Sequence, residues 1–114
     1  MRQIGASQLR QALAASTPPA VLDVRRRDAF DAARIPGATW CVSDDVAGRA
    51  PDVIGGLDTP VVVYCGSARC RRSVRAVERL ERLGYRAVYR YEGGLEDWRR
   101  RGLPVESSRS RRGR

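Results

Sequence analysis

The chain has 114 residues and a mass of 12.7 kDa, enough for one small domain and too little for two independent cores. Hydrophobic residues make up 42% of it, which excludes wholesale disorder despite 31% charged residues and a mean hydropathy of -0.46. All 22 basic residues are Arg, 13 acids leave a net charge of +9, and the absence of His excludes a Ser-His-Asp triad, a Cys-His pair and a His metal site.

Chemistry therefore falls to Cys, carboxylates, hydroxyls, Arg or backbone amides. Ser7 can cap a helix through about Ala14, with Leu9 and Leu13 on one face, and Thr17-Pro18-Pro19 stops it. This opening segment lacks the continuous apolar core of a signal peptide, and no stretch approaches the roughly 18 apolar residues of a membrane span. A soluble, cytoplasmic protein is the expectation. Residues 20–24 and 61–64 are short, apolar and bounded by turn residues, which predicts fully buried strands of a parallel sheet. Between them, Asp28 can open a short helix to Ala33, Ile35-Pro36-Gly37-Ala38 turns the chain, and residues 39–42 form another candidate strand.

Residues 43–60 are rich in Asp, Gly and Pro and predict a long connection with one helical turn at most. The clearest helix spans residues 73–83, where Ala76, Val77, Leu80 and Leu83 share one face and Glu78 and Arg82 pair outside. Gly84 ends it, residues 86–91 predict a strand, and Gly93-Gly94 leads into a last helix over 95–101. Alternating strands and helices imply an α/β layer fold with a mainly parallel sheet. Residues 107–114 carry four of the Arg residues and no acid, and predict a basic, mobile tail after a domain over 1–106. A phosphate contact by this tail is the less favoured reading, since no aromatic residues interleave its charges.

Three Cys (Cys41, Cys65, Cys70) fit neither a small disulfide framework nor a CxxC pattern, so a reducing compartment is the simpler reading. Cys65 ends the buried strand over 61–64, and Gly66-Ser67-Ala68-Arg69-Cys70-Arg71-Arg72 leads straight into the helix from Ser73. Sites in parallel α/β sheets lie at the carboxyl ends of strands. Unpaired N–H groups of the loop and first helical turn can converge on an anion above the sulfur and favour the thiolate. Arg69, Arg71 and Arg72 supply cations whose planar forks suit sulfur or phosphorus oxyanions. Residue types alone leave open the alternative that Cys65 is a small core residue and the Arg residues face water.

Four segments in register resemble single-domain rhodaneses, the sulfurtransferase homology domains, over about residues 1–106. They are Val21-Leu22-Asp23-Val24-Arg25 with Asp28-Ala29-Phe30, Arg34-Ile35-Pro36-Gly37-Ala38, Tyr64-Cys65-Gly66-Ser67 with Arg72-Ser73, and Tyr91-Glu92-Gly93-Gly94-Leu95-Glu96-Asp97-Trp98 with Gly102-Leu103-Pro104-Val105. The resemblance implies a three-layer rhodanese-like fold in which Cys65 takes a sulfane sulfur as a persulfide and passes it to cyanide or a thiol. It implies that the loop from Gly66 to Arg72 holds the substrate, with Arg71 and Arg72 foremost among the cations. Neither metal nor organic cofactor is implied; the partners would be a small sulfur-containing anion or a partner protein's persulfide.

The family commonly has His where this chain has Arg34, and many members place an Arg where Cys70 stands. The resulting Cys65-x5-Arg71 spacing equals that of cysteine phosphatases and of arsenate reductases of the same fold, which is one alternative function. A non-catalytic binding or regulatory domain is another. A phosphatase needs a general acid, for which Asp44, Asp45 and Asp58 are loop candidates with nothing to place them opposite Cys65. Cys70 can be either a small residue tucked under the helix start or a thiol that attacks an oxidised or persulfidated Cys65. Asp23 and Arg25 form either a brace for the loop or a surface pair, Trp98 reads as a core anchor, and Cys41 reads as core.

Overall fold

A computed structural model describes residues 1–108. In chain order it contains β1 (Arg2–Gln3), α1 (Ala6–Leu13), β2 (Ala20–Asp23), α2 (Arg27–Ala32), β3 (Thr39–Trp40), a 3-10 turn (Ser43–Asp45), α3 (Val46–Val53), β4 (Val61–Tyr64), α4 (Arg72–Arg82), β5 (Val88–Arg90) and α5 (Gly94–Arg100). The strands form one sheet in the order β1-β5-β4-β2-β3, with every pairing parallel. Central β4 registers on β2 from Ala20↔Val61 to Asp23↔Tyr64 and on β5 from Val61↔Val88 to Val63↔Arg90.

Alternation along β4 builds both halves of the core. Val61, Val63 and Cys65 face the layer of α3 and α4, packing with Val46, Ala50, Ala76, Val77 and Leu80. Val62 and Tyr64 face Leu9 of α1 and Leu95 and Trp98 of α5. Full burial of each valine contributes about 1.5–3 kcal/mol, so β4 is anchored from both sides and its carboxyl end is held firmly. This is the expected three-layer arrangement of a parallel sheet between helices.

Several details differ from expectation. α1 begins before Ser7: Gly5 is the cap position, and the Gln8 side chain accepts the Gly5 N–H at 3.0 Å, so no hydroxyl cap is used. The segment over 43–60 holds a full helix, α3, rather than a single turn. Val46, Ala50 and Ile54 are spaced by four and buried, which offsets the roughly 3 kcal/mol that Pro51 costs inside a helix. Leu83 does not join the core face of α4 but stands exposed where the helix ends. There Gly84 takes a φ of 100°, and the N–H groups of Tyr85 and Gly84 close on the carbonyls of Leu80 and Glu81. The sheet also gains the short edge strand β1.

Ser107 and Ser108, assigned to a mobile tail, are instead held to α2: the Ser108 N–H donates to the Asp31 carbonyl at 2.9 Å and the Ser107 hydroxyl to the same oxygen at 3.4 Å. The rest of that tail, 109–114, lies outside the described residues. No helix among the described residues is long and apolar enough to cross a membrane.

Candidate active site

The site is built where β4 ends. Cys65 follows Tyr64 directly, and its backbone is fixed from above by the start of α5: Leu95 N–H donates to the Cys65 carbonyl at 3.0 Å and Glu96 N–H to that of Gly66 at 2.9 Å. This close approach explains Gly94. Its φ is 67°, and an added Cβ would stand 2.4 Å from the Cys65 carbonyl oxygen, so only glycine fits.

Cys65 is 1% exposed. Its Sγ lies 3.4 Å from Ser73 Oγ, at the first turn of α4, and 3.5 Å from the Cys70 carbonyl oxygen. Burial, then the Cys70 side chain, push the Cys65 thiol above its ordinary range; the Ser73 hydroxyl and N–H pull the other way without winning. The expectation of a readily ionised Cys65 thus fails for the free protein, because the loop does not place its N–H groups as supposed. Those of Gly66 and Arg72 favour the other thiol's anion instead. Cys70 is half-buried, and although burial opposes ionisation, the Cys65 thiol, these two N–H groups and the Arg72 charge hold it below the ordinary range.

A buried guanidinium organises the loop from behind. Arg90, at the end of β5 and 6% exposed, donates from Nε to Ser73 Oγ at 2.8 Å and from Nη2 to the carbonyls of Ala68 at 3.3 Å and Cys70 at 3.5 Å. Its charge is met by Glu92 at 3.9 Å. Sequence reasoning missed Arg90 and did not assign Ser73 a role. One signal existed: Val88 and Arg90 share a strand face, so an arginine points where the core pattern demands an apolar residue.

Beside the loop lies an open cleft of about 300 Å³, between Arg25, Arg26 and Asp28 on one side and Gly66, Cys70 and Arg72 on the other. Of the predicted loop residues, then, Gly66, Cys70 and Arg72 face this cleft. Ser67 and Ala68 do not line it, Ala68 facing a separate cleft with Tyr91 and Glu92, and Arg69 and Arg71 are exposed outside it. No protein oxygen among the described residues accepts the N–H of Ser67, Ala68, Arg69 or Arg71.

Arg25 is positioned by a buried network and is no surface pair. Its Nε and Nη2 reach Asp23 Oδ1 and Oδ2 at 2.9 and 2.7 Å, and Nη2 also reaches the Ala33 carbonyl at 2.6 Å. The Tyr64 hydroxyl donates to Asp23 Oδ2 at 2.6 Å and accepts the Ile35 N–H at 3.1 Å. Asp23 is wholly buried, so the pair is charge-matched and hydrogen-bonded as burial requires.

Asp44 and Asp58, offered as general acids, pair with Arg79 and Arg86, and neither they nor Asp45 line the cleft. Asp28 is its one carboxylate, exposed and 3.8 Å from Arg26. Cys41 is fully buried, and burial raises its pKa. Trp98 anchors the far layer, donating to the Pro104 carbonyl and meeting the edge of Tyr91. Arg34 lies over the Phe30 ring, with its guanidinium carbon 4.4 Å from the centroid, and binds Ser108. No three His, Cys, Asp or Glu residues gather as metal ligands among the described residues.

A parallel α/β domain with a cysteine at the end of its central strand, a second thiol in the same loop and arginines at the mouth defines a thiol-centred site suited to an anion. Residues 5–101 match the Rhodanese-like domain family. The thiosulfate sulfurtransferase GlpE of Actinobacillus succinogenes is 36% identical over 88 residues, covering 77% of this chain and 76% of the enzyme. An HTH-type transcriptional regulator of Mycobacterium tuberculosis is 36% identical over 86 residues, 75% of this chain, but the chain spans only 37% of the regulator's length. The rhodanese-like domain of the Anabaena sp. Alr3790 protein superposes with a TM-score of 0.83 at 28% identity, over 97% of this chain and 83% of that one. A human single-domain sulfurtransferase shares the fold, with a TM-score of 0.76 at 22% identity over 88% and 96% of the two chains. The chain belongs to the rhodanese-like family.

Proposed function

We propose that the protein transfers sulfane sulfur through a persulfide on Cys65. The observation that carries this reading is the placement of Cys65 at the end of β4 with the Ser73 hydroxyl 3.4 Å from its sulfur and an arginine-walled cleft beside it. The donor is a small sulfur-containing anion such as thiosulfate, or the persulfide of a partner protein. Arg25 and Arg72 and the unused loop N–H groups attract and orient it. The Cys65 thiolate attacks the outer sulfur of thiosulfate, a new S–S bond forms, and sulfite departs with the electron pair of the broken bond. A thiophilic acceptor, cyanide or a thiol, then takes the outer sulfur and returns Cys65 as thiolate. Ser73 suits this role because its oxygen accepts from Arg90, which frees the hydroxyl proton for the anionic sulfur. Reduced thiols are required throughout, in keeping with the cytoplasm as the working compartment.

The phosphatase alternative is weaker, since the acids offered for it line no part of the cleft. One paired assay tests the reading: cyanolysis with thiosulfate and hydrolysis of an aryl phosphate, each on the wild type and Cys65→Ser. Sulfur transfer lost in the variant is expected; phosphate release lost instead would overturn it.

A further inference from the structure

We propose that Cys70 is a resolving thiol: it attacks the Cys65 persulfide, forms a Cys65–Cys70 disulfide and releases the transferred sulfur as hydrosulfide. The inference rests on the persulfide reading and adds a second outcome for the bound sulfur, release without an external acceptor.

Geometry carries it. The loop folds back on itself through the Cys70 N–H to Ser67 carbonyl bond at 3.1 Å, which brings the Cys70 backbone within reach of the Cys65 sulfur. The Cys65 sulfur donates to the Cys70 carbonyl at 3.5 Å, and the Cys70 side chain packs against the core cluster that contains Cys65. Cys65 is sealed from solvent whereas Cys70 lines the cleft, so the pair has one inner and one outer member. The outer thiol is the one equipped as a nucleophile. It lines the cleft with Gly66 and Arg72, whose backbone N–H groups and charge favour its thiolate. A merely space-filling residue under the helix start needs none of these partners. Cys41 offers no competing route, being wholly buried among apolar residues.

The step balances. The Cys70 thiolate attacks Sγ of Cys65, the Sγ–Sγ bond forms, and the bond from Cys65 Sγ to the outer sulfur breaks. The electron pair leaves with the outer sulfur as hydrosulfide, which is reduced as Cys70 is oxidised. An external dithiol restores both thiols and becomes a disulfide itself.

The test uses the full chain, reduced and then freed of reductant, as wild type and Cys70→Ser. Each is loaded with thiosulfate, stripped of excess, and followed by intact mass and by sulfide release without acceptor. At whatever rate the variant loads, it is expected to gain one sulfur atom and keep it. The wild type is expected to lose two hydrogens relative to the reduced chain and to release sulfide about tenfold faster or more. Trypsin cleaves after Arg69, so the disulfide joins two peptides and is mapped directly. A wild type that holds its extra sulfur as long as the variant overturns the proposal and leaves the persulfide reading standing. If neither form gains sulfur, the persulfide reading fails, and oxidised dithiothreitol decides the two-thiol chemistry. A Cys65–Cys70 link in the wild type then supports the pairing, and its absence overturns it.

Discussion

Arg90 donates from Nε to Ser73 Oγ at 2.8 Å, and that same oxygen stands 3.4 Å from Cys65 Sγ. A buried cation on β5 therefore reaches the Cys65 sulfur through one hydroxyl. The arrangement holds the loop and presents a hydrogen-bond donor to a sulfur anion.

Removing this link has two separable effects. Arg90→Met removes the guanidinium donor from Ser73 Oγ and from the Ala68 and Cys70 carbonyls and is expected to destabilise the fold by about 1–3 kcal/mol, measured by denaturant unfolding. Ser73→Ala removes the donor to the sulfur. It is expected to move the pH profile of Cys65 alkylation upward, because the Ser73 hydroxyl and N–H together oppose the rise that burial imposes. An unchanged Cys65 profile would refute the role given to the hydroxyl.

The two thiols ionise in opposite order from their places in the chain. Peptide-resolved alkylation at neutral pH is expected to label Cys70 first, since it is accessible and held low, and Cys65 later, with its rate climbing as pH rises through and above the ordinary thiol range. Cys41 reacts only on unfolding. Labelling of Cys65 ahead of Cys70 would contradict the loop geometry.

Tyr64→Phe deletes one hydroxyl from the Asp23–Arg25 network. Asp23 keeps Arg25, but the Ile35 N–H loses its acceptor, and the expected cost is about 1–3 kcal/mol in thermal or chemical unfolding. The wild-type Tyr64 hydroxyl stays protonated at every accessible pH, because burial and then Asp23 drive its pKa far upward.

Gly94→Ala is expected to cost more than the ~1–2 kcal/mol of a left-handed alanine, because its Cβ also meets the Cys65 carbonyl. Activity should fall with stability, since relief of that contact requires displacing the Cys65 backbone. Gly37→Ala is the control: its φ of 85° carries a similar backbone cost, but no atom stands within 4 Å of the new Cβ.

Much of this was legible in the amino-acid order. The apolar runs of β2 and β4 located the central strands, and the cysteine at the end of β4 marked the candidate site. The helix from Arg72 was plain because its apolar spacing is regular. α3 was hidden because Pro51 and Gly48 read as breakers, while the Val46-Ala50-Ile54 spacing that overrides them is only three residues deep. Arg90 was hidden because a charge in a strand ordinarily marks a solvent face; its partners come from a loop about twenty residues away in sequence. The division of N–H groups between two sulfurs was not legible, since spacing does not say which way a loop turns back.

After a single round with thiosulfate and no acceptor, Cys70→Ser, in which the extra sulfur cannot be lost to a second loop thiol, is digested and its cysteine peptides are weighed. One additional sulfur is expected on the peptide that contains Cys65, removed by cyanide. No added sulfur there, or sulfur on Cys41 instead, would contradict the persulfide reading.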